Sequence, residues 1–314
     1  MWTGIRLRLR RFRIEIEPTI RELRFSLNRI KKSPLSIVGL CIILFYLIIA
    51  ILAPIIAPSP EGWRDPYRIP NDGWSPTPKP PSDKHPFGTS ETQYDIFYGC
   101  VWGSRTAFYV GLVVVGCFVS ISLVIGSLAG YYGGIIDEVL MRITDIIFAF
   151  PMLILAMALV MAFGPSVESV MKALILVGWP AYARVVRGEV LAVKHNDYIE
   201  AAKAVGCSDF RVIVRHLLPN AIYPLLIMAS LDVGAIVLLE ATLSFLGLGP
   251  PVGFADWGQM ISFSRNWIIG PTGEPYKFWY TWAIPGIFIF IFVLGWNLLG
   301  DAFRDILDPT LRRR

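Results

Sequence analysis

Residues 34–57 read PLSIVGLCIILFYLIIAILAPIIA, a run without one charged side chain. A helix needs about 20 mainly apolar residues to cross the roughly 30 Å of hydrocarbon in a bilayer, so this run is long enough to span it. It follows a charged stretch and is too long for the core of a signal peptide, which makes it a retained anchor. Ala53-Pro-Ile-Ile-Ala57 is the one pattern there that resembles a cleavage site.

The rest of the chain agrees. Of 314 residues, 54% are hydrophobic and only 17% charged, where an ordinary soluble domain has about a quarter charged. Five more apolar runs lie at 107–130, 139–163 (with Pro151 as an expected kink), 167–183 (the weakest, interrupted by Pro180), 219–245 and 282–300. The expected fold class is all-α: a polytopic membrane protein with six transmembrane helices. Such a composition excludes a disordered chain, a collagen-like fibre and a disulfide-rich scaffold, and disfavours a cytosolic enzyme. The expected organisation is a basic cytosolic segment at 1–33, an anchor helix at 34–57 and a Pro-rich extracytoplasmic segment at 58–106. A five-helix core at 107–300 carries a cytosolic loop at 196–218, and a cytosolic tail follows at 301–314.

Charge sets the orientation. With the N-terminus inside, the cytosolic segments hold 21 Lys and Arg and the outer ones hold eight, so both termini are expected in the cytosol. The formal charge of +5 therefore concerns sidedness and lipid, not nucleic acid. Cys41, Cys100, Cys117 and Cys207 form no CxxC pair, and His85, His195 and His216 are dispersed. No metal site, catalytic group or redox motif is expected. No GxxxxGK[ST] occurs, so this chain has no P-loop to cradle a nucleotide.

Three connections stand out. The first outer loop holds nine prolines between Pro58 and Pro86, with Trp63, Tyr67 and Trp74 among them, and is expected to run extended. A second outer segment at 247–281 ends in an aromatic belt at 278–282. The third, at 197–219, reads DYIEAAKAVGCSDFRVIVRHLLP. Asp197 can cap a helix with Glu200 reaching back, a variant of the capping box. Ala201, Ala202 and Ala204 leave that helix thin, and Gly206 suits the left-handed residue that ends it. Ser208 can cap a second helix with Phe210, Ile213, Val214 and Leu217 on one face, and Pro219 opens the next span. On physics alone this is a surface helix resting on headgroups.

Glu200-Ala201-Ala202, then Gly206, then Leu218-Pro219 resembles the EAA loop of ABC-importer permeases. HxLPN at 216–220 is similar to the dipeptide/oligopeptide branch, the subunit type with an N-terminal anchor helix. HPFGT at 85–89, AGYYGG at 129–134, FGPS at 163–166, LSFLGLG at 243–249 and NLLGD at 297–301 support that branch by their order. The chain departs from the family at 91–95, ETQYD, where a Gly-Arg-Asp triplet is usual. The resemblance implies an ABC type I importer permease fold and a coupling role for Asp197, Glu200, Ala201, Ala202, Gly206, Leu218 and Pro219. It also implies a homologous second permease, two cytosolic ATPase subunits that bind the ATP, and an extracellular solute-binding protein. The expected cargo is a di- or oligopeptide, with oligosaccharide or nickel as alternatives within the branch. A secondary transporter is the alternative of another class, and would show inverted repeats.

Intramembrane acids mark pathways by default. Asp145 is expected to pair with Arg142 one turn away. Asp232 and Glu240 share a helical face; they either line a translocation path or, for Glu240, meet hydroxyls such as that of Thr242. Ser122, Gly126 and Gly130 recur every four positions and are expected to pack within the subunit. In a background lacking the native cysteines, a membrane-impermeant thiol reagent should label a cysteine at Asp72 from outside but not one at Ser208. The reverse pattern would refute this topology.

Overall fold

The computed structural model describes residues 33–73, 75–270 and 274–307. The basic segment up to residue 32 and the tail beyond 307 lie outside them, as does Trp74. The helices are α1 (Pro34–Ile56), α2 (Ile96–Tyr132), α3 (Gly134–Phe148), α4 (Met152–Phe163), α5 (Val167–Val193), α6 (Asp197–Ala204), α7 (Tyr223–Phe245), α8 (Trp257–Ser262) and α9 (Tyr280–Leu307). Among the described residues, α1, α2, α5, α7 and α9 are each long and apolar enough to cross a membrane.

Three expectations are corrected. The expected third span is not one kinked helix: α3 and α4 meet at 86°. Pro151 supplies no N–H and pushes Phe150 out of the helical region, so the chain breaks there. The span expected to falter at Pro180 instead runs unbroken to Val193. Pro180 and its neighbours Trp179, Tyr182 and Ala183 are buried there, and this packing outweighs one lost backbone bond. Finally, α2 begins at Ile96 rather than 107 and has 37 residues, roughly 55 Å of helix. Its first turns therefore stand outside the hydrocarbon, where Asp95 caps it by accepting from the Tyr98 N–H at 2.9 Å.

Inside the bilayer apolar burial no longer drives association, and close backbone approach takes its place. The Ser122 hydroxyl donates to the Trp179 carbonyl at 2.9 Å. A Cβ on Gly126 would stand 2.6 Å from the Ala183 oxygen, and one on Gly130 would stand 2.7 Å from Val190 Cγ1. These residues pack α2 on α5 within the subunit, as their spacing predicts. Tyr46 of α1 donates to the Phe288 carbonyl of α9 at 2.9 Å. Pro285 leaves the Thr281 carbonyl without its helical partner, and the Ser264 hydroxyl donates to it at 2.9 Å.

The two segments expected to lie outside, 58–106 and 247–281, form one cap over the start of α2. No helix occurs among the described residues of 58–86. The Ile69 N–H donates to the Gly253 carbonyl and the Ala255 N–H to that of Tyr67, both at 2.7 Å, while Tyr67 stacks on Phe254. Trp102 and Trp257 donate their indole N–H groups to the carbonyls of Ala57 and Cys100. The cap thus sits where α1 ends and α2 begins, at the far end of α2 from Tyr132.

His85 is the hub of the cap. Its Nδ1 lies 2.7 Å from Asp95 Oδ2 and its Nε2 lies 2.8 Å from Asp72 Oδ2. Lys84 and His85 hold the Asp72 carboxyl down at about 2. An acid whose folded value lies below its unfolded one stabilises the fold fully above the unfolded value, about 4. That stabilisation is lost as pH falls from there toward 2. Hydrogen exchange across 70–95 should therefore accelerate in that window in the native chain, and Asp72→Asn should remove the step.

Candidate functional site

The elbow between α5 and α7 begins at α6. Asn196, not Asp197, stands at the cap position, and no side chain caps the helix. The expected capping box does not form, because the helix takes in Asp197; Asp197 and Glu200 instead place negative charge in the first turn, where the helix dipole favours it. Gly206 ends α6 at φ +81°, as its position predicts. The Cys207 N–H donates to the Ala202 carbonyl at 3.1 Å and the Gly206 N–H to that of Lys203 at 2.9 Å, the paired bonds of a Schellman ending.

The expected second amphipathic helix is also corrected. Asp209–Arg211 is one helical turn, Val212–Leu217 is a π-helix and Leu218–Ala221 resumes the α form. Ser208 stands at the cap position without a side-chain bond. Pro219 has no N–H for the Arg215 carbonyl, and the wider turn shifts the faces. Val212, Ile213 and Leu217 are buried, while Phe210 is 77% and Val214 47% exposed. Leu218 is half-buried and Pro219 exposed.

The body grips this elbow through Tyr131, at the end of α2. Its hydroxyl donates to Asp209 Oδ1 at 2.5 Å, and Lys203 Nζ sits 4.8 Å from its ring centre. Ile199 and Ala202 face inward and are buried. Ala201, Tyr198, Val205 and Phe210 face out, with Val205 80% exposed. Of the three alanines of the thin face, Ala201 and Ala204 are exposed and Ala202 is buried.

The acids of the spans meet different surroundings. Arg187 of α5 holds Asp137 of α3 through two bonds at 2.5 and 2.6 Å. Asp145 pairs with Arg184 at 2.7 Å, not with Arg142, which faces Glu138 at 3.8 Å. Packing of α3 on α5 turns Asp145 toward its neighbour, leaving Arg142 on the exposed side. Asp232 is half-buried and accepts from the Tyr182 hydroxyl at 2.7 Å. Glu240 is enclosed; the Ser244 hydroxyl donates to it at 3.1 Å, whereas Thr242 donates to the Leu238 carbonyl. Glu240 and Asp256 line one small cavity, with about 10 Å³ of room for a water centre. Asp256 Oδ2 has no bonding partner there among the described residues.

Sequence reasoning missed Tyr131, Tyr182, Asp256 and the His85 cluster. Tyr182 and Asp232 are 50 positions apart and Tyr131 and Asp209 are 78 apart, and no local pattern announces such pairs. Among the described residues no group of three His, Cys, Asp or Glu is placed to hold a metal ion.

A bundle of long apolar helices, with a cap at one end and a helical elbow at the other, is the architecture of a multi-pass membrane protein. The chain belongs to the family described as binding-protein-dependent transport system inner membrane component, whose profile matches residues 122–313. The N-terminal TM domain of oligopeptide transport permease C matches residues 24–73. The dipeptide transport system permease protein DppC of Alkalihalophilus pseudofirmus is 38% identical over 92% of this chain and 90% of that protein. The probable D,D-dipeptide transport system permease protein DdpC of Escherichia coli is 39% identical over 89% of each. The oligopeptide transport system permease protein OppC of Bacillus subtilis is 35% identical over 92% of this chain and 90% of that protein. An inward-facing structure of the MetNI methionine ABC transporter shares the fold, with a TM-score of 0.53 at 19% identity over 67% of this chain and 97% of that one. The chain is therefore a permease subunit of an ABC importer, a transport component and not itself an enzyme.

Gly206→Val should disfavour the Schellman ending by roughly 1–2 kcal/mol, since a side chain at positive φ is strained. Ala202→Asp should loosen α6 from the body. Hydrogen exchange should rise across 197–217 in both variants and stay unchanged in the α2–α5 packing; protection equal to the native chain would refute this account of the elbow.

Proposed function

We propose that this subunit moves a di- or oligopeptide across the plasma membrane, receiving it from an extracellular binding protein. Permeases of this family work with a second permease, ATPases and a binding protein, and the specific partners here follow that pattern. ATP is bound by two cytosolic ATPase subunits, and this chain carries no cofactor of its own. The elbow, from Asp197, Glu200, Ala201 and Ala202 through Gly206 to Leu218 and Pro219, couples the ATPases to the bundle. Both chain termini and the elbow lie in the cytosol, and the cap faces outward.

One observation carries the coupling reading: Ala201, Val205 and Phe210 are exposed around a rigid turn that Tyr131 ties to α2, which spans the bundle. A thin, apolar surface on a braced elbow suits a protein cleft, and Lys203 is drawn onto the Tyr131 ring beside it. The identity to dipeptide and oligopeptide permeases supports the cargo class. Within the bundle, Asp232 faces the translocation path, and Glu240 joins α7 to the cap at its outer end.

Phe210→Asp would bury an unpaired charge in a docked interface, at a cost of several kcal/mol. Uptake should collapse and the ATPase subunits should fail to co-purify, while peptide binding by the receptor is unaffected. Normal transport with ATPases attached would return the elbow to the surface-helix reading.

A further inference from the structure

Asp232 lies about 14 Å into α7 from Tyr223, near the middle of a span of 23 residues. Asp137 and Asp145 are paired with arginines, and Glu240 is enclosed, with a bond from Ser244. Asp232 receives one bond, from the Tyr182 hydroxyl to Oδ2. Among the described residues no Lys, Arg or His forms an ion pair with it. Its side chain is half-buried, and its other oxygen is not among the enclosed, unbonded polar atoms of the described residues.

Tyr182 is held for this purpose. It is 1% exposed, and Phe118 of α2 packs edge-on against its ring at 5.5 Å between centres. The phenol holds one carboxylate oxygen, and the second has no bond to a described residue. A carboxylate at this depth is expensive against lipid, so the free oxygen faces either water or a cation. One carboxylate and a phenol are too few ligands for a divalent metal, which takes six or more oxygens. They suit an ammonium, which donates separate hydrogen bonds.

We propose that Asp232 is a solute-contacting residue whose open oxygen receives the free α-ammonium of the peptide as it crosses the midplane, with Tyr182 as its positioning residue. This rests on the peptide-importer reading above. It adds a chemical preference to the transport step, separate from selection by the binding protein.

The test uses the complete importer in proteoliposomes, with dialanine and N-acetyl-dialanine each supplied at a concentration that saturates the binding protein by its own measured affinity. The native complex should move the free-amine peptide faster by about tenfold or more, the worth of a charge-assisted hydrogen bond. Asp232→Asn should bring the ratio close to one, by slowing the free-amine peptide, with the permease pair still assembled. Tyr182→Phe should lower the ratio without abolishing uptake, a change that a packing role alone would not produce. An unchanged ratio in Asp232→Asn overturns the proposal, and so does loss of the assembled pair, which would make Asp232 a subunit contact. A native complex that carries neither peptide removes the peptide reading itself, before any variant is compared.

Discussion

The close approach of α2 to α5 is the constraint on which the rest of the structure depends. Ser122, Gly126 and Gly130 leave no side-chain layer between the two helices, and the Ala183 and Trp179 backbone fills the gap. In lipid this substitutes van der Waals contact and one buried hydrogen bond for a hydrophobic driving force. Everything functional is registered against it. The same packing carries Tyr131 to the elbow at one end of α2 and sets Phe118 against Tyr182 further along.

The two ends of α2 are finished differently. At the cap end, backbone bonds, indole N–H groups and the Asp72–His85–Asp95 cluster tie the cap to the first turns of the helix. At the other end, one phenol–carboxylate bond, a cation over a ring and the buried side chains of Ile199, Ala202, Val212, Ile213 and Leu217 hold the elbow. A cap wired by many short polar contacts resists deformation. The elbow makes fewer polar contacts and leaves Ala201, Val205 and Phe210 exposed.

Charges within the bundle follow the same division. Arginines on α5 neutralise the acids of α3 near the elbow, which fixes the broken α3–α4 pair to the scaffold. Near the cap, Glu240 and Asp256 line one cavity, and the Ser262 hydroxyl of α8 donates to the Phe245 carbonyl at the end of α7. Between these lies Asp232, oriented by Tyr182 but without an arginine. Acids that serve only structure are enclosed or paired, because an unpaired charge in the membrane is costly.

Much was legible in the chain itself. Apolar length alone located α1, α5, α7 and α9, because a bilayer has a fixed thickness and rewards uninterrupted hydrophobicity wherever it occurs. Gly206 announced the end of α6, since few residues tolerate its backbone angle, and the four-residue spacing of Ser122, Gly126 and Gly130 announced a packing face. Local rules failed where distant partners compete with them. Pro180 did not break α5 because α2 packs over it, whereas Pro151, without such support, did break its span. Asp145 chose Arg184 over Arg142, and Ala202 turned inward while Ala201 turned out. The sequence by itself determined how many apolar segments can cross a membrane and where a helix must end, because hydrophobic length and backbone strain are properties of single segments. Only the tertiary structure decided which acids are paired, which face of the elbow is free and that Tyr182 aims Asp232, because each depends on side chains brought together from helices far apart in the chain.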